Sequence, residues 1–420
     1  MIFTIIIFLL VLSLLVFVHE LGHFWTARKF KVGAPEFGFG FPPRVFGFQL
    51  IRGSRLKKIA ETEQIDVKFE TDENGVMIEK ITDEKKEIDV VIPTKRWRFI
   101  RGNRALTEED EKYGTVYSLN WILLGGFVKI KGQDGEEPGE LDSFSAQPIY
   151  KRFLILFAGV LMNIVLAAAL LSIGFMVGLP QNTENVRPGG IMEAKKVQIM
   201  EVMVDSPAEK AGIKLGDQVI SINDQMINSE EDIQNILGTK AGEEVTIKIR
   251  RYSEEQVIKV TPKILAETNR GGIGVLLTAS AIVYYPWYQA IWEGSRTAIL
   301  LLWAIIVAFY DLIRNLIVGQ AVDGAVAGPV GIATLTGQVA RMGFSYLLQF
   351  TALLSLNLAV INFLPIPALD GGRALFLLFE KIKGRPVRKE LENILHNIFF
   401  IALILLIVWV TIKDVIKVFN

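Results

Sequence analysis

The sequence predicts a polytopic α-helical membrane protein: four transmembrane helices, a membrane-associated β region and a compact extracytoplasmic α+β domain. Three observations carry that reading. Hydrophobic residues make up 51% of the 420 residues before 36 glycines are added, above the roughly 45–50% apolar share of ordinary soluble domains. Long uncharged runs recur along the chain. The polar residues that interrupt those runs fall into two clusters far apart in sequence.

Composition also narrows function. The 45 Lys+Arg and 45 Asp+Glu cancel, so no nucleic-acid partner is expected. The absence of Cys excludes disulfides, thiolate zinc ligands and a cysteine nucleophile. Only three His are present, and two stand four residues apart.

Residues 1–18 carry no charge and as a helix would reach about 27 Å, close to the hydrocarbon thickness of a bilayer. No Lys or Arg precedes this run and no small-residue cleavage site follows it, so it is expected to remain as a span. Further runs cover 153–179, 346–369 and 394–412. A fifth, 298–313, is bounded by Asp311 and Arg314 and is short for a span. Cytoplasmic flanks carry excess Lys and Arg. Arg28, Lys29 and Lys31 follow the first run, Lys151 and Arg152 precede the second, and Arg373, Lys381, Lys383, Arg385, Arg388 and Lys389 lie between the last two. Four spans with an outside N-terminus put all these cations in the cytoplasm, whereas a fifth would turn the last group outward. The expectation is therefore four spans, with 287–318 a membrane-surface or re-entrant helix.

The resulting domains are 1–24, the first span; 25–150, cytoplasmic and membrane-associated β, with a charged insertion at 50–113; 151–179, the second span; 196–275, the external domain; 346–372 and 394–413, the last spans. Within the insertion, Asp72-Glu73-Asn74-Gly75 reads as a hairpin turn between short strands. No chemistry is evident there.

The first span ends in His19-Glu20-Leu21-Gly22-His23. On a helix, positions i and i+4 share a face, so both imidazoles can reach one zinc ion. Glu20 between them can take a proton from zinc-bound water and later deliver it to a leaving amine. Ionisable groups at a helix centre cost about 2.5–3.5 kcal/mol each on insertion scales, which favours a compensating ion. A catalytic zinc usually takes three protein ligands and a water. Position 29, where an extended soluble motif would place a third His, is Lys. His396, at the start of the last span, reads as a packed or interfacial side chain. The better third ligand is Asp370 in Asn362-Phe363-Leu364-Pro365-Ile366-Pro367-Ala368-Leu369-Asp370-Gly371-Gly372. Two prolines one residue apart disfavour continuous helix, and an unwound segment at membrane depth must line a buried or wet cavity.

Together with Phe157-Ala158-Gly159-Val160-Leu161-Met162-Asn163 in the second span, these motifs resemble the site-2 protease family of intramembrane zinc metalloproteases, in its sigma-factor-regulator branch. The resemblance covers nearly the whole chain except the insertion. It implies Zn2+ ligation by His19, His23 and Asp370, with Glu20 as base and Asn362 holding substrate backbone near the metal. Asn163 after Gly159 fits a close helix contact, a packing role that stands at least level with a catalytic one.

Two further parts would handle substrate. Glu36–Pro43 is a Gly/aromatic cluster, and Trp121–Lys131 is an apolar strand broken by Gly125-Gly126. Both are similar to the family's membrane-dipping β region. An open strand edge can capture an unwound substrate backbone by β-addition, with Leu124, Gly125, Gly126 and Phe127 the candidate stretch. Residues 196–264 read as strands and short helices. The series Asp205-Ser206-Pro207-Ala208, Ala211-Gly212-Ile213, Gly216-Asp217 and Ile222-Asn223 resembles a bacterial PDZ domain, with Gly271–Val275 as a loop for a peptide end. Sigma-E-regulator members carry two such domains, and one is read here.

The function expected is hydrolysis of a peptide bond within the transmembrane segment of an anti-sigma-factor-like membrane protein, one already shortened by another protease. The resemblance further implies a bacterial inner membrane location, with the N-terminus and PDZ domain outside and the active site near the cytoplasmic side. Two other classes remain: a PDZ scaffold with a structural metal, and a metal transporter.

Overall fold

The computed structural model describes residues 2–60, 66–71, 77–82, 87–107, 110–111, 113–133, 140–182, 186–251, 254–264, 271–319 and 328–419. The chain divides into two compact units, Met1–Phe30 with Gln147–Asn420, and Lys31–Ala146. The Asp72–Gly75 turn lies outside the described residues.

The unit Lys31–Ala146 is built on β1 (Glu36–Ala60), β2 (Asp66–Thr71), β3 (Met77–Thr82), β4 (Glu87–Arg101) and β5 (Val116–Lys129). β4, β1 and β5 form a sheet in that order. β1 is bent: Glu36–Phe39 pairs with Gly126–Lys129, whereas Phe46–Gln49 pairs with Val116–Leu119. Gly40, at φ +80, occupies the bend in a conformation that only glycine adopts without strain. The buried Arg44 guanidinium grips both carboxylate oxygens of Glu36 at 2.8 and 2.9 Å, a bidentate pair that pins the bend. Beyond it, β1 and β4 run as a two-stranded ribbon from Phe46↔Arg101 to Ala60↔Glu87, and β2 pairs with β3. The expected insertion is therefore largely this ribbon and hairpin. Trp121, Ile122, Leu123 and Leu124 are all exposed along β5, breaking the alternation of a half-buried strand.

In the other unit, α1 (Ile2–Lys29), α2 (Ile149–Val177), α5 (Trp287–Val318), α7 (Phe344–Phe363) and α9 (Lys389–Phe419) are the long apolar helices. Between them come α3 (Pro207–Lys210) and α4 (Glu230–Thr239) in the α/β domain, α6 (Pro329–Met342), and α8 (Asp370–Lys383). Lipid offers backbone groups no partner, so such runs close their hydrogen bonds within a helix. Against the expectation of four, five helices among the described residues are long and apolar enough to cross a membrane, by length and composition alone. The run read as 298–313 sits within the 32-residue α5, because polar and aromatic residues on both sides continue the helix. The basic stretch between the last two expected spans contains an element that the sequence reading did not include, the 14-residue amphipathic α8.

α1 lies against α2 at Gly22, where a Cβ would stand 2.4 Å from the Ala158 carbonyl oxygen, the kind of small-residue contact by which membrane helices approach. A second set of contacts gathers at the end where α1 begins. A Cβ on Gly337 of α6 would stand 2.5 Å from the Thr4 side chain. The Gly331 N–H donates to Asp414 of α9 at 2.7 Å. Tyr346, in the first turn of α7, donates to Gln198 at 3.1 Å. α5 starts beside the end of α2, with Gly294 on Ser172.

The α/β domain holds β6 (Leu179–Asn182), β7 (Ile191–Val202), β8 (Gln218–Ile222), β9 (Gln225–Met226), β10 (Val245–Arg251), β11 (Glu254–Val260), β12 (Lys263–Ile264), β13 (Gly271–Gly272) and β14 (Val275–Tyr284). Its main sheet runs β11-β10-β8-β7-β14-β6 with β9 on β8. Ile199, Val219, Ile222, Ile247, Ile249 and Leu237 fill the core between sheet and helices. Ser206 caps α3 by accepting from the Glu209 N–H, and Ser229 and Asp232 form a capping box on α4, each satisfying backbone donors that a helix start leaves free.

Candidate metal centre

Three chain segments meet in the membrane unit. α1 projects His19 and His23 from one face, four residues being just over one turn. α7 ends at Phe363, and Leu364–Leu369 is irregular, since neither Pro365 nor Pro367 has an N–H to continue a helix. Asp370 then opens α8. That start is packed tightly: a Cβ on Gly371 would stand 2.3 Å from the Leu364 carbonyl oxygen, and one on Gly372 2.2 Å from that of Ile366. The Gly pair is thus what lets the carboxylate turn back toward α1.

Asp370 Oδ2 lies 2.9 Å from His19 Nε2 and 3.3 Å from His23 Nε2, and the two Nε2 atoms are 3.1 Å apart. Three ligands held at 2.0–2.1 Å from a tetrahedral zinc would stand about 3.3 Å from one another. The triangle already has that size. Both imidazoles are buried at 5% exposure, and Asp370 is half-buried. Among the described residues this is the one group of His and carboxylate side chains that converges in this way.

The surroundings also suit a cation. His23 Nδ1 is 2.8 Å from the Ile155 carbonyl oxygen, and since a carbonyl only accepts, Nδ1 carries a proton and Nε2 is the nitrogen turned toward Asp370. Two imidazole nitrogens and a carboxylate oxygen converging in a buried site form a donor set that a divalent cation satisfies. Gly159 makes the space: a Cβ there would stand 2.4 Å from His23 Nε2 and 2.8 Å from His19 Cε1. The residues present therefore fit a zinc ion.

Glu20 lies between the two histidines on the same helix, half-buried. Asn362 Nδ2 is 3.3 Å from His19 Nε2, so this expected substrate contact does reach the centre. His396 is elsewhere; its Nδ1 is 3.0 Å from the Pro367 carbonyl oxygen, so α9 braces the loop that delivers Asp370. Leu124, Gly125, Gly126 and Phe127 belong to the separate β unit.

Several contributors had no sequence signal of their own. The Ile155 carbonyl is a backbone group. Arg152 and Glu380 form a two-pronged ion pair that ties the start of α2 to the last turn of α8, at 12% and 16% side-chain exposure. A cavity of about 840 Å³ opens along α8, lined by Tyr150, Phe153, Phe363, Pro365, Gly371 and Leu375 among others. The spacing Ala374, Leu377, Leu378, Lys381 was the available signal for α8, being one helical face.

Membrane-type helices converging two imidazoles and a carboxylate, with a glutamate between the imidazoles, define a membrane metallohydrolase. Comparison with known proteins gives the family. The profile described as Peptidase family M50 matches residues 7–59 and 97–406, and the chain belongs to that family; it is a zinc metalloprotease of the site-2 type and a multi-pass membrane protein. Zinc metalloprotease RasP of Oceanobacillus iheyensis is 31% identical, covering 99% of this chain and 99% of its own. RasP of Geobacillus kaustophilus is 29% identical over 99% and 98%, and the regulator of sigma-W protease RasP of Bacillus subtilis 29% over 99% and 99%. Among solved structures, the PDZ domain of an SdrC-like protein from Listeria monocytogenes matches at 21% identity over 20% of this chain and 90% of its own, with a TM-score of 0.19. The interval between the two family-matched segments takes in β2, β3 and most of β4.

Proposed function

We propose that this protein cleaves a peptide bond inside the transmembrane segment of a membrane-protein substrate, with His19, His23 and Asp370 holding zinc and Glu20 acting as general base. The observation that carries the reading is the triangle of ligand atoms drawn together from positions 19, 23 and 370. A zinc ion bound there would acidify its water ligand to a pKa of about 7 and polarise the scissile carbonyl. Glu20 then accepts the proton of the attacking water and delivers it to the departing amine nitrogen. Asn362, whose amide nitrogen already reaches the centre, donates to a substrate carbonyl. Gly159 and Gly22 keep α1 and α2 close enough to exclude lipid from the imidazoles.

The path of the chain supports four net spans with α5 as a re-entrant or surface element. α5 and α6 both start at the end of the bundle where α1 starts. Only ten residues separate Val318 from Pro329, about 15 Å as helix, too few to return across lipid in a hydrogen-bonded form. With cations flanking the other end, positive-inside bias sets the N-terminus and the α/β domain outside and the metal nearer the cytoplasm. We read the α/β domain as a single PDZ module on its motif series, able to take a peptide end at Gly271–Val275 and to screen substrates already shortened by another protease.

In the other unit, β5 lies at the edge of its sheet, and Trp121–Leu124 are exposed and apolar, as expected of a strand that rests in the bilayer. Leu124–Phe127 would add a strand of unwound substrate. The relative in Bacillus subtilis is named a regulator of sigma-W protease, and an anti-sigma-factor-like substrate is proposed here by analogy. The test is cleavage of a transmembrane reporter by the purified protein: removal of zinc by a chelator abolishes cleavage and stoichiometric zinc restores it. Cleavage that continues undiminished in metal-free protein overturns the reading.

A further inference from the structure

Of the two imidazoles in the centre, one has an obvious partner for its outer nitrogen and one does not. His23 gives its Nδ1–H to the Ile155 carbonyl. His19 also turns Nε2 toward Asp370 and His23, so a metal taken by that nitrogen leaves the ring proton on Nδ1, where it needs an acceptor. The group at that position is the side-chain amide of Asn163 on α2, with Nδ2 3.3 Å from His19 Nδ1. Asn163 is fully buried at 0% exposure, and its Oδ1 has no hydrogen-bond partner among the described residues. The two ends of an amide have nearly the same shape and exchange by a half-turn.

We infer that Asn163 is a positioning residue of the metal centre: its Oδ1 accepts the Nδ1–H of His19 and so fixes the tautomer and plane of that ring for metal binding. The inference rests on the zinc reading above. An amide suits the position because it serves both states. It donates to a bare Nδ1 while His19 Nε2–H faces Asp370, and it accepts once Nε2 is committed to a cation. Its own backbone is held, since Ser355 of α7 donates to the Asn163 carbonyl at 2.8 Å. Gly159, one turn earlier, opens the space through which both rings reach α2.

The test is zinc affinity of the purified full chain, by competition with a chromophoric chelator, in Asn163→Leu and Asn163→Asp. Leu keeps the shape and removes the acceptor; Asp keeps an acceptor. Loss of an outer-shell partner typically weakens metal binding about 10–100-fold, and that loss is expected for Leu, with Asp restoring affinity to the wild-type range. Should the Leu variant not fold, Asn163→Ala against Asn163→Asp gives the same contrast. Wild-type affinity in the Leu or Ala variant, or equal weakening in the Asp variant, overturns the assignment. Zinc affinity unchanged in Asp370→Asn would instead locate the failure in the ligand set itself.

Discussion

Asp370 Oδ2 lies 2.9 Å from His19 Nε2, across 351 positions of sequence. Nothing local brings them together. The contact exists because the helix ending at Phe363 gives way to a proline-interrupted loop, and because Gly371 and Gly372 let the next helix start against that loop.

Removing the carboxylate charge while keeping its shape should therefore release the metal. Asp370→Asn is expected to lower zinc affinity by more than about 100-fold, beyond the range seen for outer-shell partners. Elemental analysis after dialysis against a weak chelator reads the result directly.

Gly159→Ala tests the space rather than the ligands. Its methyl would stand 2.4 Å from His23 Nε2, so the imidazole must leave its place. Overpacking of a tight site costs about 1–3 kcal/mol, a modest loss of thermal stability, whereas zinc content should fall to near background.

Arg152 and Glu380 should be coupled. Breaking a mostly buried ion pair from one side costs about 3–5 kcal/mol, because the remaining charge is stranded. Glu380→Gln and Arg152→Met should each lower the thermal midpoint, and the double variant should lose less than their sum. A double-mutant cycle on the melting data measures the coupling.

Acid should act on the β unit through Asp110. The Arg104 guanidinium, with help from Thr107, holds this buried carboxyl well below the usual carboxylate range. A depressed folded pKa means stability that is present above the unfolded value, about 4, and is lost as pH falls below it toward the folded value. Tryptophan fluorescence between pH 5 and pH 2, on the order of that window, should report unfolding in wild type. Asp110→Asn should be weaker at neutral pH by about 1–3 kcal/mol and show a shallower acid slope.

The part of this structure legible in the sequence is the part that lipid dictates. An uncharged run in a bilayer must be helical, and two histidines four apart on it must share a face, so α1 and half of the centre followed from the residues. Asp370 followed because two prolines beside a carboxylate make little sense at membrane depth without a cavity to line. What did not follow depended on tertiary position. The amphipathic α8 was hidden because three of the six cations between the last two spans, Arg373, Lys381 and Lys383, lie within it and break up its apolar face in the linear sequence. The helix expected at 287–318 has the extent of α5, although its apolar run alone, 298–313, is only half that long. The Ile155 carbonyl and the Arg152–Glu380 pair are partnerships between distant groups, and no local pattern announces them.

In the proposed mechanism Glu20 moves a proton at a centre it does not build. The direct measurement is zinc content and reporter cleavage in the same preparation of Glu20→Gln. Zinc bound as in wild type is expected, with cleavage reduced by at least about 100-fold, the usual contribution of a general base. A Glu20→Gln protein that holds its zinc and cuts the reporter at the wild-type rate would contradict it.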